Sequence, residues 1–239
     1  MKKSIILATA VASILTSGVA AAELTANAAI TSNYIWRGVT QTTDQAAGQG
    51  GIDWGHKSGL YVGTWVSNVN FDNSDDGYEM DVYAGFGGEA GSLGYDLGVI
   101  TYQYPVTPQY NFTEVYISGT MSIVTLGVNY TVDAASGNDA EKDPNASGQF
   151  ESGDAYVFGS VDFAAGKSDV SLYAGSYMFD QDGKDYSPTG ANVGEIDYNH
   201  FGASIGKDGF TFAVDKNDIE GGSADNVRFS AMYSVDFEL

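Results

Sequence analysis

The sequence contains no cysteine, only four prolines and few basic residues. Without cysteine, no disulfide can stabilise an exported chain, so its stability must come from a buried core or a closed sheet. Lysine and arginine number 10 against 31 aspartates and glutamates, which gives a formal charge of −21 at pH 7. This acidity argues against nucleic acid as a partner, because nucleic-acid recognition needs a basic surface.

Long apolar runs are missing after the first 22 residues. No later segment approaches the roughly 18 consecutive apolar residues of a membrane-spanning helix. Residues 1–22 combine a basic head, Lys2-Lys3, with the apolar stretch Ile5–Val19 and the small residues Ala20–Ala22. This pattern predicts a secretory signal peptide that is cleaved between Ala22 and Glu23. The exported domain, residues 23–239, then has 239 − 22 = 217 residues and a formal charge of 8 − 31 = −23.

Tyrosine, glycine and alternating polar and apolar residues are abundant, with 16 tyrosines and 31 glycines. Successive side chains of a strand point to opposite faces, so alternation predicts strands, and the composition is that of an all-β protein. Twelve segments alternate, and their even number is typical of bacterial outer-membrane barrels. They are Leu24–Gly38, Ala46–Trp54, Leu60–Phe71, Tyr78–Phe86, Leu93–Val99, Thr113–Gly119, Val124–Val132, Ala155–Phe163, Val170–Phe179, Ile196–Gly206, Phe210–Lys216 and Asn226–Leu239.

The connections between these segments alternate in length. The short ones lie at His56–Gly59, Gly87–Ser92, Gly119-Thr120, Ala164–Asp169 and Gly206–Gly209. The long ones are Val39–Gln45, Asp72–Gly77, Pro105–Asn111, Asp133–Gly153, Asp180–Glu195 and Asn217–Asp225. This pattern predicts a closed antiparallel transmembrane β-barrel with short periplasmic turns and longer extracellular loops. A soluble secreted β-sandwich is the alternative, but it has no reason to gather its long loops at one end.

The first and last segments carry features of a barrel embedded in lipid. Tyr34 and Trp36 end the apolar face of the first segment, so we expect them in the aromatic girdle at the extracellular interface. The last segment has seven alternate apolar positions from Val227 to Leu239. It resembles the terminal strand that bacterial barrels present to the barrel-assembly machinery.

Charged residues on the opposite faces would then point into the lumen. Facing lipid near the midplane would cost a lysine or arginine about 2–4 kcal/mol, whereas a charge in the lumen can stay hydrated or pair. A barrel of twelve strands is wider than the eight-stranded barrel that side chains just fill, which favours a channel. A lumen plugged by paired charges is the alternative. The pore-lining candidates are Arg37, Glu79, Asp81, Asp96, Glu114, Asp162 and Arg228, with Arg37 and Arg228 expected on the neighbouring first and last strands.

No constellation predicts catalysis, a cofactor or a metal. The two histidines, His56 and His200, stand in a predicted turn and a predicted strand without a nucleophile placed beside them, and no hydrolase or phosphate-loop motif occurs. The acidic runs Asp72–Gly77 and Asp180–Asp185 do not complete the EF-hand spacing. We interpret them as solvated acidic loops.

Several stretches together resemble a known family. They are Ser32–Thr42 (SNYIWRGVTQT), Gln49–Trp54 (QGGIDW), Gly59–Asn68 (GLYVGTWVSN), Tyr102–Pro105 (YQYP) and Asn111–Glu114 (NFTE). In this order and spacing they resemble the TorF family of proteobacterial porin-like proteins, specifically over about residues 24–120. The resemblance implies an outer-membrane β-barrel with a porin role and names no solute or catalytic residue.

The expected function is therefore passive diffusion of small hydrophilic solutes across the outer membrane, in contact with outer-membrane lipid. The acidic balance favours cations or neutral solutes over anions. A non-conducting structural or adhesive barrel, acting through its acidic loops, is the alternative.

Overall fold

The computed structural model describes residues 23–71, 77–135, 148–186, 191–192, 194–220, 224 and 226–239. The predicted signal peptide lies outside these ranges. Twelve strands form one closed antiparallel barrel, which confirms the predicted fold. They are β1 (Glu23–Thr31), β4 (Ala47–Gly55), β5 (Leu60–Val69), β6 (Gly77–Ala90), β7 (Leu93–Gln103), β8 (Phe112–Met121), β9 (Val124–Ala134), β10 (Ala155–Ala165), β11 (Ser168–Met178), β14 (Tyr198–Lys207), β15 (Phe210–Asn217) and β16 (Arg228–Glu238).

Two small hairpins and one short helical turn complete the described structure. The hairpins pair β2 (Ile35–Trp36) with β3 (Val39–Thr40), and β12 (Asp185–Tyr186) with β13 (Ala191–Asn192). The helical turn is the 3₁₀ segment Pro108–Tyr110. Over the described ranges, no helix has the length and apolarity needed to cross a membrane.

The barrel closes where its first and last strands meet. β1 pairs antiparallel with β16 from Thr25 opposite Glu238 to Thr31 opposite Met232, and it pairs with β4 on its other side. All other barrel strands pair with their neighbours along the barrel. Because no barrel strand is left at an edge, all twelve have a hydrogen-bonded neighbour on both sides.

The two ends of the barrel differ as the sequence predicts. The five short turns lie at the end where β1 begins and β16 finishes, which we call the turn end. The strand ends that the six long connections join lie at the opposite end, the loop end. One predicted turn is misplaced: β8 and β9 continue past Gly119-Thr120 to pair Met121 with Val124, so Ser122-Ile123 makes the turn. Ser122 adopts a left-handed φ of 60°, as tight two-residue turns require.

The outer surface of the barrel is apolar. Alternate strand residues leave large apolar side chains exposed around the wall, including Ile52, Leu97, Ile117, Leu126, Leu172, Phe212 and Phe229. The residues between them point inward and are mainly polar, aromatic or glycine. This arrangement inverts that of a water-soluble protein, because exposed apolar surface is stable only against an apolar solvent. It is the arrangement of a membrane-spanning barrel.

The first predicted strand is too long, because β1 ends at Thr31 rather than at Gly38. Residues 32–46 leave the wall, and the part from Asn33 to Thr42 folds into the lumen. We call the whole segment, residues 32–46, the inner hairpin. Its tip is the two-residue turn Arg37-Gly38, with φ values of 48° and 80°, between the paired residues Trp36 and Val39. Two positive φ angles with glycine at the second position are typical of a tight hairpin turn. The Arg37-Gly38 dipeptide is thus the feature of the sequence from which a separate hairpin could have been predicted.

Candidate functional site in the barrel lumen

The inner hairpin fills the loop half of the lumen with aromatic side chains. Trp36 packs against Tyr102 of β7 and Tyr177 of β11, with ring centroids 5.6 and 6.2 Å away. Tyr34 packs edge-on against Trp65 of β5, with centroids 5.4 Å apart. Trp36 joins two aromatic clusters, one on the β5–β8 side and one on the β10–β14 side.

The prediction that Tyr34 and Trp36 belong to a lipid-facing girdle is therefore wrong. Tyr34 is only 5% exposed, and Trp36 packs on side chains from inside the wall. The physical reason is that the chain turns inward after Thr31. Tyr34 and Trp36 are therefore residues of the inner hairpin and not of a wall strand that faces lipid. Aromatic rings that do face outward near the turn end include Trp54 and Phe210.

A buried ion pair holds the tip of the inner hairpin. The Arg37 guanidinium donates to both carboxylate oxygens of Glu114 on β8, at 2.8 and 2.6 Å. It also lies 4.2 Å from the ring centres of Trp36 and Tyr156, in cation–π geometry. Burial alone would lower the pKa of Arg37, but the adjacent Glu114 carboxylate keeps this pKa well above its usual value. Arg37 is therefore charged, and losing either partner would cost about 3–5 kcal/mol.

Glu114 is the central acceptor of the lumen. It is 1% exposed and also accepts hydrogen bonds from Asn129 Nδ2 at 2.9 Å, Tyr102 Oη at 3.2 Å and Tyr177 Oη at 3.3 Å. Its donors come from β7, β9, β11 and the inner hairpin, so this one carboxylate joins several walls of the barrel. A fully satisfied network of this kind gives one defined arrangement of the tip.

Further contacts fix the base of the inner hairpin to the barrel seam. Arg228 Nε on β16 donates to Asp44 Oδ1 at 2.8 Å, and Asn33 Nδ2 donates to the same oxygen at 2.8 Å. The tip is held as well, since Asn217 Nδ2 on β15 donates to the Gly38 carbonyl at 2.7 Å. The sequence predicts Arg37 and Arg228 side by side at the seam, and this prediction is wrong. The inner hairpin places Arg37 across the lumen, against Glu114 of β8.

The turn half of the lumen is lined by carboxylates that pair with tyrosines. Tyr61 Oη donates to Asp96 Oδ1 at 2.7 Å, and the Tyr83 hydroxyl donates to Asp53 in the same way. A third pair lies nearer the loop end, where Tyr173 Oη donates to Asp215 Oδ1 at 2.7 Å. Asp162 accepts a hydrogen bond from Ser160 at 2.6 Å.

The tyrosine rings lie over glycines of neighbouring strands. A Cβ atom on Gly63 would come within 2.5 Å of the Tyr83 ring, and one on Gly202 within 2.5 Å of the Tyr173 ring. A Cβ on Gly85 would collide with Tyr61. These glycines leave room for each ring to lie flat against the wall, and the flat ring aims its hydroxyl at a carboxylate.

The candidate residues from the sequence, apart from Arg37, lie on barrel strands and point inward. They are Glu79, Asp81, Asp96, Glu114, Asp162 and Arg228. Their role in lining a conducting path stays a prediction. Asp53, Asp215 and the paired tyrosines were missed, although Asp53 alternates with the outward Ile52 and Trp54 and could have been found by the same rule.

His200, which the sequence placed in a strand, lies on β14 under the inner hairpin. Its Nε2 is 2.7 Å from the Tyr156 hydroxyl, and its Cβ and ring leave no room for a side chain at Gly38. Its contacts are therefore those of packing. Among the described residues, no three histidine, aspartate or glutamate side chains are grouped to hold a metal ion.

Comparison with known proteins identifies a family and a fold. A family model described as "Bacterial protein of unknown function (Gcw_chp)" matches residues 16–221. No curated protein matches the sequence. The TorF resemblance thus stays a prediction.

Solved structures with the same architecture include KdgM porin, at a TM-score of 0.54 and 7% identity over 90% of this chain and 99% of that chain. A second, described as "Unveiling the Mechanism Behind the in-meso Crystallization of Membrane Proteins", has a TM-score of 0.52 and 8% identity over 91% of this chain and 84% of that chain. At these identities the likeness shows the fold alone.

Proposed function

The chain belongs to the Gcw_chp family of bacterial proteins of unknown function, and we propose that it is an outer-membrane channel for small hydrophilic solutes. The observation that carries this proposal is the barrel itself, with an apolar outer wall and a turn half lined by Asp53, Asp96 and Asp162. Polar residues inside and apolar residues outside are what a water-filled path across lipid requires. A porin of the same fold, KdgM, agrees with this reading.

The charges favour cations and neutral solutes over anions. Carboxylates around the turn half lower the energy of a cation and raise that of an anion. Arg37 does not offset them, because Glu114 already binds its guanidinium through two hydrogen bonds.

In this proposal the chain reaches the outer membrane after the predicted cleavage at Ala22. β16 is the strand that it offers to the barrel-assembly machinery.

A second candidate function is a non-conducting barrel with a structural or adhesive role. One specific observation favours it: the inner hairpin and its aromatic contacts occupy the loop half of the lumen. In the channel proposal the same contacts describe a closed conformation, and conduction requires the inner hairpin to leave the lumen.

Planar-bilayer recordings of the refolded protein distinguish the two. A variant lacking residues 34–43 keeps Asn33 and Asp44 as a five-residue connection, 32–33 with 44–46, between β1 and β4, a length that natural hairpins use. We expect rare openings in the wild type, long-lived openings in the variant, and reversal potentials in a salt gradient that favour the cation. Heat-modifiable migration on a gel verifies that both barrels are closed. A folded variant that never conducts would overturn the channel proposal and favour the structural role.

A further inference from the structure

Two buried carboxylates beside the inner hairpin form no ion pair with any cation of the described residues. Glu79 and Asp81 of β6 are each 1% exposed, and their side chains contact one another inside the lumen. Tyr34 Oη donates to Glu79 Oε1 at 3.3 Å. Among the described residues, Glu79 Oε2 and Asp81 Oδ1 have no hydrogen-bond partner. Each of these oxygens is therefore buried without the donor that a carboxylate normally requires.

The neighbouring elements do not supply the missing positive charge. From β5, Ser67 and Trp65 stand opposite Glu79 and Asp81 and carry no charge. Neutral hydroxyls face the pair from Tyr34 of the inner hairpin, Tyr83 of β6, Tyr102 of β7 and Tyr104 after β7, and one carboxylate faces it from Glu114 of β8. The guanidinium of Arg37, at the tip of the inner hairpin, is already bound by both carboxylate oxygens of Glu114.

We propose that Glu79 and Asp81 share one proton when the inner hairpin is seated, so that closing the lumen takes up a proton. Two ionised carboxylates only accept hydrogen bonds, and their side-chain contact therefore needs a proton between them. With the inner hairpin withdrawn, both groups face lumen water, which hydrates two ionised carboxylates and removes the need for the shared proton. The proposal extends the channel function above, and its main readout does not depend on conduction.

The coupling has a definite sign. The closed form binds the proton more tightly than the open form, so rising pH favours the open form. Between the pKa values of the pair in the two forms, one coupled proton changes the open-to-closed ratio by about tenfold per pH unit. Burial raises the pKa of Tyr34 and of Tyr104, so these phenols stay neutral donors across this range.

A single-cysteine reporter tests the proposal directly, because the native chain has no cysteine. Thr42 in the inner hairpin is fully buried, so Thr42→Cys should react with a charged thiol reagent only when the segment leaves the lumen. Val39→Cys, on the inner strand β3, is a second reporter in case the first variant disturbs the fold. Each rate is divided by that of the exposed Lys57→Cys, because the thiolate fraction itself rises with pH.

The normalised rate is expected to rise by about tenfold per pH unit and then level off. Asp81→Asn should keep the inner hairpin seated at all pH values, because the amide can donate to Glu79 in place of the proton. Asp169→Asn, an exposed change at the turn end, should keep the pH dependence.

Three outcomes would overturn the proposal. They are a labelling rate independent of pH, a pH dependence that survives Asp81→Asn, and protection that added Ca²⁺ restores at high pH, which would assign the pair to a metal ion. Failure of the channel proposal looks different, since labelling could follow pH while the variant lacking residues 34–43 stays silent in bilayers.

Discussion

Asp154, at the start of β10, ties together two connections of the loop end. Its Oδ2 accepts the Glu151 N–H at 2.8 Å, and its Oδ1 accepts the Asp180 N–H at 2.8 Å. Burial raises the pKa of this carboxyl to about 6 from 3.8, although both hydrogen bonds act to lower it. One side chain therefore links the start of β10 to the segment after β11, and it does so while ionised at neutral pH.

This environment predicts an unusual pH dependence of stability. A carboxyl whose pKa is raised in the folded state binds its proton more tightly there, so it stabilises the fold as pH falls from about 6 towards 4. Relative to Asp154→Asn, the wild type should gain roughly 1–3 kcal/mol of unfolding free energy across this window. Urea unfolding in detergent at a series of pH values measures it.

The matched control is Asp218→Asn, for which the opposite sign is expected. Burial acts to raise the pKa of Asp218, but hydrogen bonds from the Asn199 backbone and side chain lower it overall. Asp218 therefore stabilises the fold above its unfolded pKa and loses this contribution as pH falls. A wild-type advantage over Asp154→Asn that does not grow between pH 6 and pH 4 would contradict the assignment.

At the scale of the strands, inward glycines and flat tyrosines form one repeated device. β14 offers a matched pair, since a Cβ on Gly202 would strike the Tyr173 ring, whereas one on Gly206 would lie 3.4 Å from Thr211 Oγ1. Gly202→Ala must therefore displace the ring and loosen its hydrogen bond to Asp215.

We expect Gly202→Ala to cost about 1–3 kcal/mol, the usual cost of overpacking, and Gly206→Ala to change stability little. Unfolding midpoints in urea, read by fluorescence and by heat-modifiable migration, compare the two. Equal midpoints for both variants would show that the ring has room to move and that the glycine does not position it.

Alternation of polar and apolar residues predicts the strands of the barrel wall but not the inner hairpin. Periodicity located all twelve barrel strands and directed Asp96 and Glu114 inward, because each wall residue faces either lipid or lumen. It failed where the chain leaves the wall. Tyr34, Trp36 and Arg37 continue the same alternation in sequence, yet they belong to a hairpin that packs inside the barrel.

At the scale of the whole molecule, the barrel separates two solvents. β1 shows this at adjacent residues in mid-strand, since Ala28 is exposed on the outer wall and Asn27 points into the lumen beside Gly51. Ala28→Lys should therefore destabilise the barrel in lipid by about 2–4 kcal/mol, whereas Asn27→Lys should be tolerated because the lumen can hydrate the charge.

Folding titrations into lipid vesicles measure this difference. If the two lysine variants were equally stable, the outer wall of the barrel would not face hydrocarbon. The same comparison in detergent micelles gives a control for effects of lysine on strand formation itself.

The sequence by itself determined the barrel, its twelve strands and its two unlike ends, because these follow from local rules of alternation and turn length. It also determined that carboxylates would outnumber cations inside. Only the tertiary structure decided that the chain after Thr31 folds inward, that Arg37 meets Glu114 across the lumen, and that no described cation pairs with Glu79 or Asp81. These contacts join residues far apart in the chain, and no local pattern records which of them meet once the sheet has closed.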